Sequence, residues 1–229
     1  MTTTDHDPHP APALRALADS RTSVRLRAAL TIGTAPDPRH VDALVERCAV
    51  EPEFFVRDML TWALTRHPVH LTLPALLREV RSARPQARSQ ALHTLSKIGE
   101  AQAWPAITRT LLCDPDDEVA TSAWRAAVVL VPPGEEPHLA TVLATQLGRG
   151  GHDTQLSLSQ ALAALGDAAV PALHAATSAG APHVRAHALA AQRLLHDPDA
   201  GFASAVEEAK RVSALTGAPV TDDEHRADR

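Results

Sequence analysis

Residues able to do chemistry are plentiful in this 229-residue chain, with 13 histidines and 27 Asp and Glu, but their spacings assemble no reaction centre. The histidines form neither HExxH nor HxH, so the ligand pair that a zinc hydrolase sets on one helix face is missing. No GxSxG elbow and no glycine-rich phosphate loop occurs. His6 and His9, in DHDPHP, have the chemistry to ligate a transition metal, but this proline-rich end supplies no third strong ligand and reads as disordered. Gly148-Arg149-Gly150-Gly151 fits a connection between helices better than a nucleotide site. Asp116, Asp117 and Glu118 precede a predicted helix and suit capping and the helix dipole. Cys48 and Cys113 lie 65 residues apart without CxxC spacing, and read as two buried thiols in a reducing compartment. These patterns predict no catalytic residue, no metal site and no cofactor.

The elements that must position any functional side chain are constrained by composition. Hydrophobic residues make up 45% of the chain but aromatics only 3%, with three Trp, three Phe and no Tyr. The core must therefore come from Ala, Leu and Val, whose small side chains favour close helix packing over a sheet sandwich. A net charge of -5 lacks the basic excess of a general nucleic-acid binder, so nucleic acid is disfavoured as a partner, although a local basic groove stays open. The amino end, MTTTDHDPHP, has no basic or apolar leader region, and nowhere do eighteen apolar residues run together. The expectation is a soluble, cytoplasmic protein with no membrane partner. Heavy use of Ala, Arg and Pro suggests a GC-rich bacterial genome.

Eighteen prolines against ten glycines would suggest loops, unless the prolines fall at a period. Aligning SVRLRAALTIG, FVRDMLTWALT, QARSQALHTLSKIG, EVATSAWRAAV, DTQLSLSQALAALG and HVRAHALAAQRLL sets Arg25, Arg57, Arg88, Ala120, Gln155 and Arg185 in one column. Their spacings are 32, 31, 32, 35 and 30. Three residues on stand Ala28, Leu60, Ala91, Ala123, Leu158 and Ala188, and seven on stand Ile32, Leu64, Leu95, Ala127, Leu162 and, as the exception, Gln192. These offsets make one helical stripe. A second column, through Pro12, Asp42, Pro74, Pro105, Ala140 and Pro171, keeps the same period. Each unit thus carries two helices, the first starting near its proline and the second carrying the anchor. Breakers separate them, including Pro85, Pro115 and Pro182, and Gly33, Pro68, Gly99, Pro132 and Gly166 follow the second helices. Short connections require antiparallel neighbours, and no segment alternates like a strand.

Residues 84–112, RPQARSQALHTLSKIGEAQAWPAITRTLL, together with 180–195 and 54–77, resemble HEAT repeats, particularly the short HEAT-like repeats of phycobilisome bilin lyases. The similarity covers residues 10–198 as about six helical hairpins. It implies an all-α fold, an α-α superhelix of the HEAT/armadillo kind, whose curved right-handed stack buries a continuous core. Residues 1–9 and 218–229 read as disordered, and 199–217 as a capping helix. The resemblance also makes Arg25, Arg57, Arg88 and Arg185 structural anchors that hydrogen-bond loops or neighbouring repeats.

In HEAT-like proteins the second helix lines the concave face, so the resemblance places Leu30, Trp62, His93, Arg125, Gln160 and Ala190 along a groove. Asp58, Arg66 and Lys97 join its central patch. The competing assignments are structural: Trp62 filling a gap between repeats two and three, and Arg66 and Lys97 as solvated residues near helix ends. Trp104 and Trp124 read as core. The leading functional expectation is a non-enzymatic adaptor whose groove, centred on Trp62, His93 and Arg125, receives a helix or an extended acidic segment of a protein partner. A HEAT-like DNA-repair protein of the alkylpurine glycosylase kind and a subunit resembling a chromophore lyase are the alternatives.

Overall fold

The computed structural model describes residues 10–197 and Val206, and within them no strand occurs. They belong to two units, residues 1–135 and 136–229. The expected disordered ends, 1–9 and 218–229, lie outside the described residues. So does the expected cap over 199–217, except that Val206 is helical and packs with Leu156 and Leu189 against buried Ala186 and Ala190.

Unit 1 contains four helical pairs: α1 (Pro10–Ala16) with α2 (Thr22–Thr34), α3 (Val41–Cys48) with α4 (Phe54–Thr65), α5 (Val69–Glu79) with α6 (Pro85–Ile98), and α7 (Arg109–Leu112) with α8 (Asp117–Leu130). The second helices stack as a row, α2 on α4 on α6 on α8, while α3 and α5 pack behind them. Unit 2 has two pairs, α9 (Glu136–Ala144) with α10 (His152–Ala164) and α11 (Val170–Ala179) with α12 (Pro182–His196); α10 packs on α12 and α9 on α11. Each unit is therefore, over its described residues, an all-α stack of helical hairpins. No single helix among the described residues is long and apolar enough to cross a membrane.

The stripe read from the sequence is the core. Every residue three after an anchor is buried, from Ala28 through Leu158 to Ala188, and the leucines and Ile32 seven after are buried completely or nearly so. Alanine at 28, 91 and 123 lets neighbouring backbones approach, while fully buried Leu60, Leu64, Leu92 and Leu95 each contribute about 1.5–3 kcal/mol of burial. Trp124 is completely buried and donates its indole N–H to the Leu112 carbonyl at 2.8 Å, so its one polar atom is satisfied. Trp104, expected in the core, is only half-buried, because it sits in a short 3-10 turn, Ala101–Ala106, at the edge of the stack.

Two expectations about punctuation need correction. Prolines do not uniformly open the first helices: Pro171 does so at α11, but Pro74 lies inside α5 and Pro105 inside the 3-10 turn that precedes α7. Pro74 removes one bond in the middle of α5, whose buried Leu73, Ala75 and Leu76 hold the helix in place. At Pro105 the missing donor coincides with a shortened first helix of four residues. Gly33 is likewise no breaker. It is helical, near the end of α2, and a Cβ there would overlap the Trp62 ring. Gly99, by contrast, ends α6 in the left-handed region at φ 69°, where its N–H reaches the Leu95 carbonyl.

Candidate functional site

The anchors are built into the loops. Arg25 donates from Nη1 to the carbonyls of Asp19 and Ser20, Arg57 to those of Glu51 and Pro52, and Arg88 to those of Ser82 and Ala83. Arg185 makes the equivalent bond to Gly180. The first three therefore tie their own helices to the residues six and five before them, and Arg185 to the residue five before it. Arg25 and Arg88 also cross to the following hairpin: Arg25 forks onto Glu51 at 2.8 Å on both nitrogens, and Arg88 onto Asp114 at 3.1 and 3.2 Å.

Glu51 is completely buried and also receives Arg47 and the Glu53 N–H. Burial alone would raise its carboxyl pKa, but hydrogen bonds from Arg25, the Glu53 N–H and Arg47 prevail and hold it at about 2. A second periodic signal accompanies the anchors and was overlooked in the sequence. Six residues before each of the first four anchors stands an oxygen-bearing side chain, Asp19, Glu51, Ser82 or Asp114. Each accepts from the backbone N–H two residues on and so shapes the turn into the second helix.

α4, α6 and α8 together line a pocket of about 250 Å³. Its walls carry Phe54, Arg57 and Asp58 from α4, Ser89, Gln90 and His93 from α6, and Glu118, Thr121, Ser122 and Arg125 from α8. The fold thus gathers three of the sequence-derived site residues, Asp58, His93 and Arg125, in one cavity. Lys97, one turn beyond His93 on α6, is exposed and lies outside the pocket walls, although its charge acts on His93. Burial first, then Lys97 and Arg125, lower the His93 pKa, while Asp58 opposes them. The imidazole is consequently held toward its neutral form.

The remaining site residues fall elsewhere. Trp62 is 37% exposed, yet its ring lies over Gly33, so it closes the joint between the first and second hairpins rather than lining the pocket. That joint is one repeat earlier than the gap considered from sequence. Arg66 caps the C-terminal end of α4, exposed and outside the pocket walls. Gln160 is exposed on α10 in unit 2.

Phe54 and Phe55 were missed. They are 64% and 74% exposed, meet edge to face with centroids 5.6 Å apart, and Arg57 stands 6.0 Å over the Phe54 ring. The signal was in the sequence: they open α4 ahead of the buried stripe, whose register Val56 and Leu60, not the phenylalanines, occupy.

Asp116 caps α8 by accepting from the N–H groups of Glu118 and Val119, and Glu118 reaches the pocket rim from that first turn. Cys48 is buried, and desolvation pushes its thiol up to about 12; Cys113, expected to be buried, is partly exposed at the end of α7. Gly148 and Gly150 take left-handed turns in the connection before α10. Among the described residues no group of three or more His, Cys, Asp or Glu is placed to hold a metal ion, and His6 and His9 lie outside them.

No family model and no curated protein sequence matches the chain. Among solved structures it is similar to the crystal structure of an engineered protein, at 19% identity and a TM-score of 0.47, covering 90% of this chain and 96% of that one.

Proposed function

We propose that this chain is a HEAT-like repeat protein acting as a non-enzymatic adaptor, which receives a segment of a partner protein along the exposed face of α4, α6 and α8. One observation carries the reading: the second helices of three successive hairpins contribute to a single pocket whose charged groups Asp58 and Arg125 make no hydrogen bond or ion pair with other described residues. The buried carboxylates of this unit are paired, Glu51 with Arg25 and Arg47 and Asp114 with Arg88, whereas Asp58 and Arg125 at the pocket are left able to pair with something else. The exposed Phe54 at the rim supplies an aromatic anchor of the kind that concentrates binding energy in interfaces.

A protein segment suits the pocket better than a nucleic-acid strand. Asp58 and Glu118 can accept peptide N–H groups, whereas a phosphodiester backbone has no donor to offer them and would be repelled. The test is affinity capture from the native host with the wild-type chain and with Thr121→Arg, which fills the pocket from α8 while a thermal melt confirms folding. Loss of specific partners with the variant supports the reading. An identical partner set refutes this face as the binding surface.

A further inference from the structure

From the two signs of charge that line one cavity we infer that the segment received by α4, α6 and α8 is of mixed charge, with a basic side chain set on Asp58 and an acidic one on Arg125. This rests on the segment-binding reading above and specifies the chemistry of the segment. The walls carry two carboxylates, Asp58 and Glu118, against two guanidinium groups, Arg57 and Arg125. Exposed arginines without an ion pair to other described residues occur elsewhere in unit 1, Arg66 and Arg109 among them. The pocket differs from those positions because it presents both signs to one volume of about 250 Å³. A segment of one sign meets as much repulsion as attraction there, whereas a segment carrying both signs gains at each end. The balance therefore disfavours the purely acidic segment expected from the sequence.

The fold keeps these charges from closing on one another. Arg57 is pinned through Nη1 to the carbonyls of Glu51 and Pro52, at 3.0 and 2.7 Å. Asp58 and Arg125 stand on α4 and α8 with α6 packed between, so their helix axes are two steps, about 16–20 Å, apart. Burial first, then Lys97 and Arg125, disfavour the charged form of His93 on α6 while Asp58 favours it, so both unpaired groups bear on the ring between them. The hydroxyls are satisfied internally: Ser89 and Ser122 pair at 3.0 Å, and Ser89 and Thr121 both donate to the Glu118 carbonyl. The charged groups are thus the ones left to select an occupant. In an extended segment, residues two apart project from one face about 7 Å apart, so a base and an acid at that spacing reach toward Asp58 and Arg125 together. The exposed Phe54 ring, one turn before Asp58, receives the aliphatic stem of the base.

The experiment is a chemical-shift titration of the isotope-labelled full chain, at low salt, with a capped peptide of three Ala-Lys-Ala-Glu repeats. Peptides of the same length alternating Ala with Lys, with Glu or with Gln are the comparisons. The expected result is that the mixed peptide binds tightest and moves the amides around Asp58, His93 and Arg125. Asp58→Asn weakens the mixed and Lys peptides about threefold without weakening the Glu peptide, and Arg125→Gln weakens the mixed and Glu peptides about threefold while sparing the Lys peptide. Both positions are exposed, and thermal melts confirm that the variants fold. Equal binding of the mixed and Gln peptides overturns the charge specificity but leaves the segment-binding reading standing. A single-sign peptide that matches the mixed one overturns recognition of both signs. Failure of the mixed peptide to move these amides overturns the inference, and the capture experiment above then judges the segment-binding reading separately.

Discussion

The sharpest quantitative consequence concerns His187, which locks unit 2 and must stay uncharged to do so. The ring is 2% exposed on α12, and its Nδ1 accepts the Gly148 N–H at 2.9 Å. Nε2 lies 3.0 Å from both the Gln155 carbonyl and the Ser159 hydroxyl, so the proton resides there. A backbone N–H can only donate, and protonating Nδ1 would set two donors against each other. Burial accordingly lowers the pKa from 6.5 to about 4, against the smaller opposing effect of the Gln155 carbonyl. In the unfolded chain the imidazole gains its proton through pH 6.5, whereas in the folded chain it does not until about pH 4. The unfolded state therefore binds more protons across this window, and stability falls as pH is lowered. Between pH 7 and pH 5 the loss integrates to about 2 kcal/mol.

The assay combines ring-proton NMR of the full chain from pH 7.5 to 4 with urea unfolding followed through amides of α10 and α12, for wild type and His187→Gln. The glutamine offers an acceptor to Gly148 and cannot titrate. The variant is less stable at pH 7, and its disadvantage shrinks by about 2 kcal/mol at pH 5. A His187 ring that titrates near 6.5, or a stability gap independent of pH, would refute the reasoning.

Other outcomes follow from the same geometry. Glu51→Gln leaves Arg25 and Arg47 without their buried anion and destabilises unit 1 by about 3–5 kcal/mol in urea unfolding at pH 7. For wild type, the Glu51 contribution persists to low pH and is lost only as pH falls through the ordinary carboxylate range toward about 2, the opposite end of the acid range from the onset of the His187 effect. Gly33→Val forces a side chain against the Trp62 ring and the Ala63 backbone, at a cost of about 1–3 kcal/mol and with a changed Trp emission spectrum; unchanged emission and stability would contradict the packing. Trp124→Phe abandons the Leu112 carbonyl and lowers stability by about 1–3 kcal/mol, whereas Arg125→Gln, on the adjacent exposed position, leaves the melting temperature unchanged.

What the sequence determined by itself was periodic: two helices per unit, and the face of each second helix that is buried. Ala28, Leu60, Ala91 and their equivalents recur at fixed helical offsets, and burying an apolar stripe requires nothing but that recurrence. Proline and glycine were less informative, because their effect depends on whether the local backbone needs the missing donor or the missing Cβ. Gly99 ends a helix, while Gly33 stays in one to admit an indole from the next hairpin.

The tertiary structure alone decided the pairings. Asp58, His93 and Arg125 are 35 and 32 residues apart in sequence, yet close one pocket because three second helices stack in register. Trp62, on the same row, turned to the neighbouring backbone where glycine left space. Glu51 and Asp114 became the acceptors of arginines 26 residues earlier in the chain. A helical period specifies which way a side chain points from its own axis. Which partner it meets depends on the rise, rotation and side-chain volume of the next repeat, and these are set only when the hairpins pack.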